Sequence, residues 1–331
     1  MKPTGHPLDN TLDGNALDGH ALGNALDSRA IWEALPGLPL LAREPLCGHT
    51  TFRIGGPADL LAMPRSREEL AGLQALAHEA GMPVSLMGGG ANLLVSDKGV
   101  RGLVVKTRPG LSDIRRRGDD GQGADGIIAG AGALLSHVAA AAAVWGLGGL
   151  SFAYGIPGTV GGAIVMNAGA YGGEMSQVVD SADVLTPDGM PFSLPAGDLA
   201  FSYRRSYFTD NPGVTVTAAA FRLAPGDPAS LRREMDALSQ RRRASQPLEY
   251  PSGGSVFKRP AGHYAGRLIA DCGLKGYRIG GAQVSEKHAG FIVNRGGATC
   301  EDVKRLIAHI QETVAAQTGV VLECELKFMG E

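Results

Sequence analysis

A hydroxyl set among glycines and followed by two cations can do chemistry in several ways. The stretch PSGGSVFKRP, residues 251–260, holds Ser255 in that setting. Ser255 could be a nucleophile, a phosphate ligand, a proton donor or a turn residue. A nucleophile elbow needs G-x-S-x-G, and here Phe257 stands where the last glycine belongs. A Walker loop needs G-x-x-x-x-G-K-[ST], and Lys258 follows Phe257 instead of glycine. The dinucleotide fingerprint G-x-G-x-x-G fails as well, because Gly88 and Gly90 are followed by Leu93. A Rossmann nicotinamide domain is therefore not supported.

Two other glycine-rich loops carry a different signal. GGGANLL (88–94) follows a strand pattern, and GIPGTVGG (155–162) precedes AIVMNAGAYG. Such loops turn several backbone N–H groups toward an anion, and a pyrophosphate suits them. Either loop alone is ordinary turn chemistry. Two in one chain, with NAGAYG after the second, suggest one large dinucleotide held between lobes.

The elements that must position these loops can be read along the chain. The first residues, including LDNTLDGNALDGHALGNALD, offer leucines at irregular spacing between breakers and read as a mobile tail over 1–38. DLLAMPRS is a strand running into a helix over 67–80, with Ser66 and Glu69 as a capping box and Gly81 as its stop. MPVSLMG and RGLVVKT are further strands. A strand, turn and buried helix follow in ADGIIAGAGALLSHVAAAAAVWG, then short strands near 180–186, 192–194 and 214–223. A polar break at 224–230 precedes a helix capped by Asp227 with Pro228 in its first turn, which places a domain boundary there. Thr299 caps a last helix with Val303, Leu306, Ile307, Ile310 and Val314 on one stripe, ended by Gly319. VVLECELKF then alternates like a strand, with Leu322, Cys324, Leu326 and Phe328 on one face. A carboxylate on the other face, such as Glu325, reads as solvated. The division expected is 39–110 and 111–225 as two lobes and 226–331 as a third unit.

Bulk properties exclude several classes. The chain has 331 residues, 44% hydrophobic and 19% charged, with a formal net charge of -2. That argues against nucleic acid as a partner, and the runs Arg115–Arg117 and Arg241–Arg243 read as solvated faces. Cys47, Cys272, Cys300 and Cys324 form no C-x-x-C pair and have no histidine at a zinc-like spacing, so reduced thiols and no metal are expected. No signal-peptide pattern is present, and the most apolar segment is broken by Ser136, His137 and glycines, so no membrane association and a cytoplasmic location are expected. The 49 glycines are about twice the usual share of ~7% and fall in clusters.

Six segments, in order, resemble the UDP-N-acetylenolpyruvoylglucosamine reductase family: HTTFRIGGPAD (49–59), GGGANLLVSD (88–97), GIPGTVGGAIVMNAGAYGGE (155–174), FSYRRSYF (201–208), PSGGSVFKRP and GLKGYRIGGAQVSEKHAGFIVN (273–294). The resemblance runs from about Pro39 to the C-terminus. It implies an α+β fold: a two-lobed FAD-binding region of the vanillyl-alcohol-oxidase/PCMH type with a C-terminal α/β substrate-binding domain. It also implies NADPH-dependent, FAD-mediated reduction of UDP-N-acetylglucosamine enolpyruvate to UDP-N-acetylmuramate for peptidoglycan, by a monomer.

Carried onto this chain, the resemblance makes Arg204, Ser255 and Glu325 the catalytic residues. Arg204 would hold the substrate carboxylate, Ser255 would give the proton and Glu325 would share the developing charge. It places FAD on Arg53, Ile54, Gly88, Gly89, Gly90, Ala91, Asn92, Leu93, Gly155, Gly158, Thr159, Gly162 and Asn167. It places the nucleotide sugar near Tyr203, Arg243, Lys258, Lys287 and His288. Some positions depart from the family pattern. Ala91 stands where many relatives carry Ser or Thr, and it cannot form the covalent flavin link that a histidine makes in the wider superfamily. Arg259 replaces an asparagine of some relatives, and the short connection after Leu223 matches the shorter subtype. A different flavoenzyme of the same fold would lack SYR and GGSVFK, and a non-catalytic binding protein would have lost one of the three catalytic residues.

Overall fold

The structure is a computed structural model that describes residues 28–117 and 126–331. Its first element is the helix α1, Ser28–Ala34. Ile31 in it has no exposure and packs with Leu38, Leu40, Leu70 and Leu73. The tail expected over 1–38 thus overreaches, because core packing begins eight residues before Pro39. The spacing of Ile31, Leu35 and Leu38 is helical, but it continues the leucine-rich repeat and is hidden by it. The rest of that expectation, 1–27, lies outside the described residues.

Lobe 1 is a four-stranded sheet in the spatial order 40–45, 57–62, 100–106, 84–87. The first pair is antiparallel and the others parallel. Helix α2, Arg67–Glu79, covers it with Leu70, Leu73 and Ala77. Ser66 accepts from Glu69 N, as its spacing suggests, but the Glu69 carboxylate turns to Arg65, taking its N at 2.7 Å and its Nη2 at 2.6 Å. The ion pair thus replaces the second half of the capping box.

Lobe 2 is a five-stranded antiparallel sheet in the order 191–195, 179–185, 215–222, 126–130, 114–117. The alanine-rich helix α3, Leu135–Val144, lies in its core with Val138, Ala139 and Ala142. The short helices α4, Val160–Val165, and α5, Tyr207–Asp210, complete it. Helix α6, Pro228–Ser245, is capped by Asp227 as expected. Yet the segment before it is no linker. Ala224–Pro225 pairs with Leu147–Gly148, Gly226 N donates to Gly146 O at 2.8 Å, and Glu234 of α6 takes the Ser151 hydroxyl at 2.7 Å. Its contacts therefore attach α6 to lobe 2, although a boundary at 225/226 assigns it to the third unit.

The third unit is an antiparallel sheet, 252–255, 291–294, 282–284, 278–279, packed by α7, Ala265–Asp271, and α8, Cys300–Thr318. Thr299 and Gly319 bound α8, and all five residues of its stripe are buried. The alternating C-terminal segment is a strand only over Lys327–Met329. Leu322 and Leu326 are buried, but Phe328 is 49% exposed. The chain here leaves the third unit and joins lobe 1 as a parallel partner of Leu93–Val95. One face therefore meets two different neighbours, and a single alternation cannot describe it. Among the described residues no helix is long and apolar enough to cross a membrane.

A polar seam locks the third unit onto lobe 1. Thr51 Oγ1 donates to Ser252 O at 2.7 Å, and Ser252 N donates to Thr51 O at 3.1 Å. Asn294 Nδ2 donates to Phe52 O at 3.1 Å. Asp97 of lobe 1 accepts from Cys300 N at 2.8 Å and Glu301 N at 3.1 Å, capping the start of α8 from another unit. Replacing Asp97 by Ala leaves two amides unpaired at a helix start and should cost about 1 kcal/mol. A urea titration should show this as a lower midpoint, and an unchanged midpoint would remove the cap from the account.

Candidate functional site

The turn at Ser202–Arg205 is closed by two backbone bonds of 3.0 and 3.1 Å between its end residues. Tyr203 and Arg204 are its middle residues, and Arg204 takes a left-handed φ of 57°. That conformation is costly for a residue with a long side chain and needs support from outside the turn. Asn167, fully buried, supplies it. Its Nδ2 donates to Ser202 O at 3.1 Å, and its Oδ1 accepts from Ser176 N at 2.9 Å. Asn167 was expected at FAD, but its side-chain amide is engaged within the protein.

Arg204 reaches across the units. Its Nε donates to Glu325 Oε1 at 2.7 Å, and its Nη2 donates to Gly169 O at 3.2 Å. The Tyr203 ring lies 5.0 Å from the guanidinium carbon. Glu325 is 15% exposed, not solvated, and burial raises its pKa even with Arg204 pulling it down. Desolvation of the carboxylate outweighs the neighbouring cation.

Ser255 ends the strand 252–255 and is exposed, and the next residue, Val256, accepts from Glu325 N at 2.7 Å through its carbonyl. Two of the three catalytic candidates are thus in contact, and the third lies at the strand end joined to Glu325. Among the described residues the Ser255 hydroxyl has no hydrogen-bond partner in the protein. The glycines beside it do different work. A Cβ on Gly253 would come within 2.7 Å of Leu326 Cδ2 and 2.9 Å of Phe52 Cδ2, so this glycine lets the core close. Gly254 has φ 84° and faces open space.

The nucleotide-sugar candidates divide. Tyr203 Oη accepts from Arg259 N at 3.1 Å, tying the turn to the 251–260 loop, and Arg259 itself stacks on Tyr264. Lys258 pairs with Glu323. Lys287 Nζ donates to Arg243 O at 2.7 Å, which brings those two together at the end of α6. His288 is packed inward: Nδ1 accepts from Gly290 N, Phe291 meets the ring edge-on, and burial lowers its pKa.

The two glycine loops face each other. A Cβ on Gly88 would collide with Thr159 Oγ1, and one on Gly90 with His49 O. Among the described residues the N–H groups of Gly89, Gly90 and Ala91 donate to no protein acceptor. A ribbon of free amides between two lobes, bearing no side chain larger than a methyl group, fits a dinucleotide pyrophosphate. Arg53, left-handed at φ 54°, and buried Ile54 lie on the seam, with Asn294 holding Phe52 O. Asn92 Nδ2 donates to Glu325 O at 3.3 Å and Asn92 O accepts from Lys327 N at 2.9 Å, so the loop also positions Glu325. A cleft of about 340 Å³ opens beside Gly155, lined by Tyr154, Ile156, Arg242 and Arg243. The resemblance named Gly155 and Arg243, but Arg242 was missed because the run Arg241–Arg243 read as solvated. Arg242 is instead half-buried, which lowers its pKa, while Arg241 lies over Tyr171.

Comparison with known proteins identifies the family. Residues 246–329 match the family model for the UDP-N-acetylenolpyruvoylglucosamine reductase C-terminal domain, and 58–194 match an FAD binding domain. The enzyme of that name from Agathobacter rectalis is 51% identical over 90% of this chain and 96% of its own length. The one from Caldanaerobacter subterraneus subsp. tengcongensis is 50% identical over 88% and 94%. The chain belongs to the UDP-N-acetylenolpyruvoylglucosamine reductase family. The crystal structure of the Thermus caldophilus reductase matches with a TM-score of 0.73 at 35% identity, over 88% of this chain and 98% of that one. As a member of the family the protein is a flavin-dependent oxidoreductase, with the two-lobed FAD region and C-terminal domain expected from its motifs.

The raised pKa of Glu325 gives this reductase-family protein a pH signature. A carboxyl whose pKa is higher in the fold than in the unfolded chain favours the fold fully below its unfolded pKa. That contribution is lost as pH rises through the folded value, so at pH 7 the ionised carboxylate lowers stability. Glu325→Gln should therefore melt about 1–3 °C above the wild type at pH 7, with the gap closing near pH 4. A lower melting temperature at pH 7 would show that the Arg204 pair outweighs desolvation.

Proposed function

We propose that this chain reduces UDP-N-acetylglucosamine enolpyruvate to UDP-N-acetylmuramate for peptidoglycan synthesis, with NADPH as hydride donor and non-covalently held FAD. The observation that carries this reading is the Arg204–Glu325 pair, built across two units beside the strand end that holds Ser255. The relatives bear the reductase name over nearly their full lengths. FAD, when bound between the glycine loops, supplies the hydride chemistry.

The residues of the chain handle the charge and the proton. Hydride addition at the methylene carbon of an enol ether pushes negative charge toward its carboxylate. Arg204 spends Nε on Glu325, one N–H of Nη2 on Gly169 O and one of Nη1 on Asn167 O, which leaves one N–H on each terminal nitrogen for that carboxylate. A second carboxylate arriving there disfavours ionised Glu325 further and draws it toward the protonated form, which can donate to the substrate. Ser255, exposed and without a protein partner, gives its proton to the adjacent carbon and recovers one from solvent. Hydride and proton thus add across the double bond, and no covalent intermediate forms. Lys258, Arg243, Lys287 and Tyr203 ring the approach for the nucleotide sugar, and both reactants being soluble nucleotides fits a cytoplasmic enzyme.

Purified protein should be yellow. Ser255→Ala should still let NADPH bleach the flavin anaerobically, while turnover of the enolpyruvyl substrate falls about 10²–10⁴-fold. Undiminished turnover would remove Ser255 as the acid. A colourless folded protein that binds no flavin would remove the whole reading.

A further inference from the structure

Behind the glycine triplet runs a chain of three side chains that the catalytic reading leaves unused. Lys106 Nζ lies 2.9 Å from His49 Nδ1, and His49 Nε2 lies 2.9 Å from Glu44 Oε1. An ammonium only donates and a carboxylate only accepts. Nδ1 therefore accepts from Lys106, and Nε2–H donates to Glu44. This selects one neutral tautomer of His49. The ring is largely buried. Burial and nearby Arg108 lower the pKa of Lys106, while Glu44 raises it.

The placement of this chain is specific. Lys106 ends the strand 100–106 opposite Met87, the residue that leads into Gly88. The Met87 carbonyl accepts from Thr107 N at 3.0 Å. At the other end of the triplet the His49 carbonyl lies so close to Gly90 that a Cβ there would collide with it, and Thr51 N donates to Gly90 O at 3.1 Å. One hydrogen-bonded chain thus joins the strand entering the loop to the backbone beneath its third glycine.

We propose that Glu44, His49 and Lys106 are positioning residues that brace the 88–93 loop around the diphosphate of its dinucleotide, and that the brace opens when His49 is protonated. A proton on Nδ1 turns the acceptor into a donor facing an ammonium, so the link to Lys106 is lost and Glu44 alone holds the ring. Arg108 adds to the repulsion at the Lys106 ammonium, and Glu44 opposes it. The inference rests on the reading that residues 88–93 hold the cofactor.

The test is FAD titration of the flavin-stripped full chain, followed by flavin fluorescence from pH 8 to about pH 5.5. The wild-type Kd should rise about tenfold toward acid, the size expected for losing one charged hydrogen bond. His49→Gln keeps an acceptor for Lys106 and a donor for Glu44. It should bind within about threefold of wild type at pH 8 and lose the acid dependence. Lys106→Met should raise Kd about tenfold at pH 8. A flat wild-type profile, or a Gln variant with the wild-type slope, overturns the brace. Gly89→Asp separates the two readings by placing a carboxylate against the diphosphate. Unchanged FAD affinity in that variant would overturn the loop assignment. Lost affinity there, with inert His49 and Lys106 variants, would overturn the brace alone. Circular dichroism of each apo form checks folding.

Discussion

The structure turns on one ion pair. Arg204 and Glu325 are 121 positions apart, come from different units and meet at 2.7 Å with both side chains largely buried. Such a pair costs desolvation on both sides and is weak evidence for stability. Its value here is placement. It holds a guanidinium and a carboxyl of raised pKa side by side, which is the arrangement the proposed function assigns to a substrate carboxylate. The left-handed Arg204, the buried Asn167 amide behind it and the Gly169 carbonyl all serve that placement.

The pair can form only if the third unit sits at a set angle to lobe 2. Tyr203–Arg259 and Lys287–Arg243 bridge those two directly. The third unit is also locked to lobe 1 by Thr51–Ser252, Asn294–Phe52, Asp97 at α8 and the parallel strand 327–329. Lobe 1 and lobe 2 approach each other where Gly88 touches Thr159. Asn92 then carries the connection from the glycine loop to the backbone of Glu325. The loop proposed to hold the cofactor and the carboxylate proposed to act on the substrate are therefore parts of one hydrogen-bonded frame.

Local rules read most elements correctly where one environment surrounds them. Helix α8 has a cap, a stripe and a glycine stop, and each is present. The strands of both lobes follow their apolar runs. Errors arose where two environments meet. VVLECELKF alternates, but its first half packs in the third unit and its end pairs with lobe 1. APGDPAS has the composition of a linker, yet its backbone forms an edge bridge that fastens α6 to lobe 2. The helix at 28–34 was lost inside a repeat of similar composition. Glu325 looked solvated because nothing near it in the chain shows that Arg204 and a core will close over it.

By itself the sequence determined the family and the serial glycine loops, and it singled out Arg204, Ser255 and Glu325 as candidates, because those depend on residue types in local order. It also determined the caps and stops, which involve bonds over three or four residues. Only the tertiary structure decided that Arg204 and Glu325 pair, that burial raises the Glu325 pKa, that Asn167 braces a turn and that His49 links Lys106 to Glu44 behind the glycine triplet. The physical reason is distance along the chain. Desolvation and charge pairing depend on what is within a few ångströms in space, and those neighbours are supplied by segments tens to hundreds of residues away.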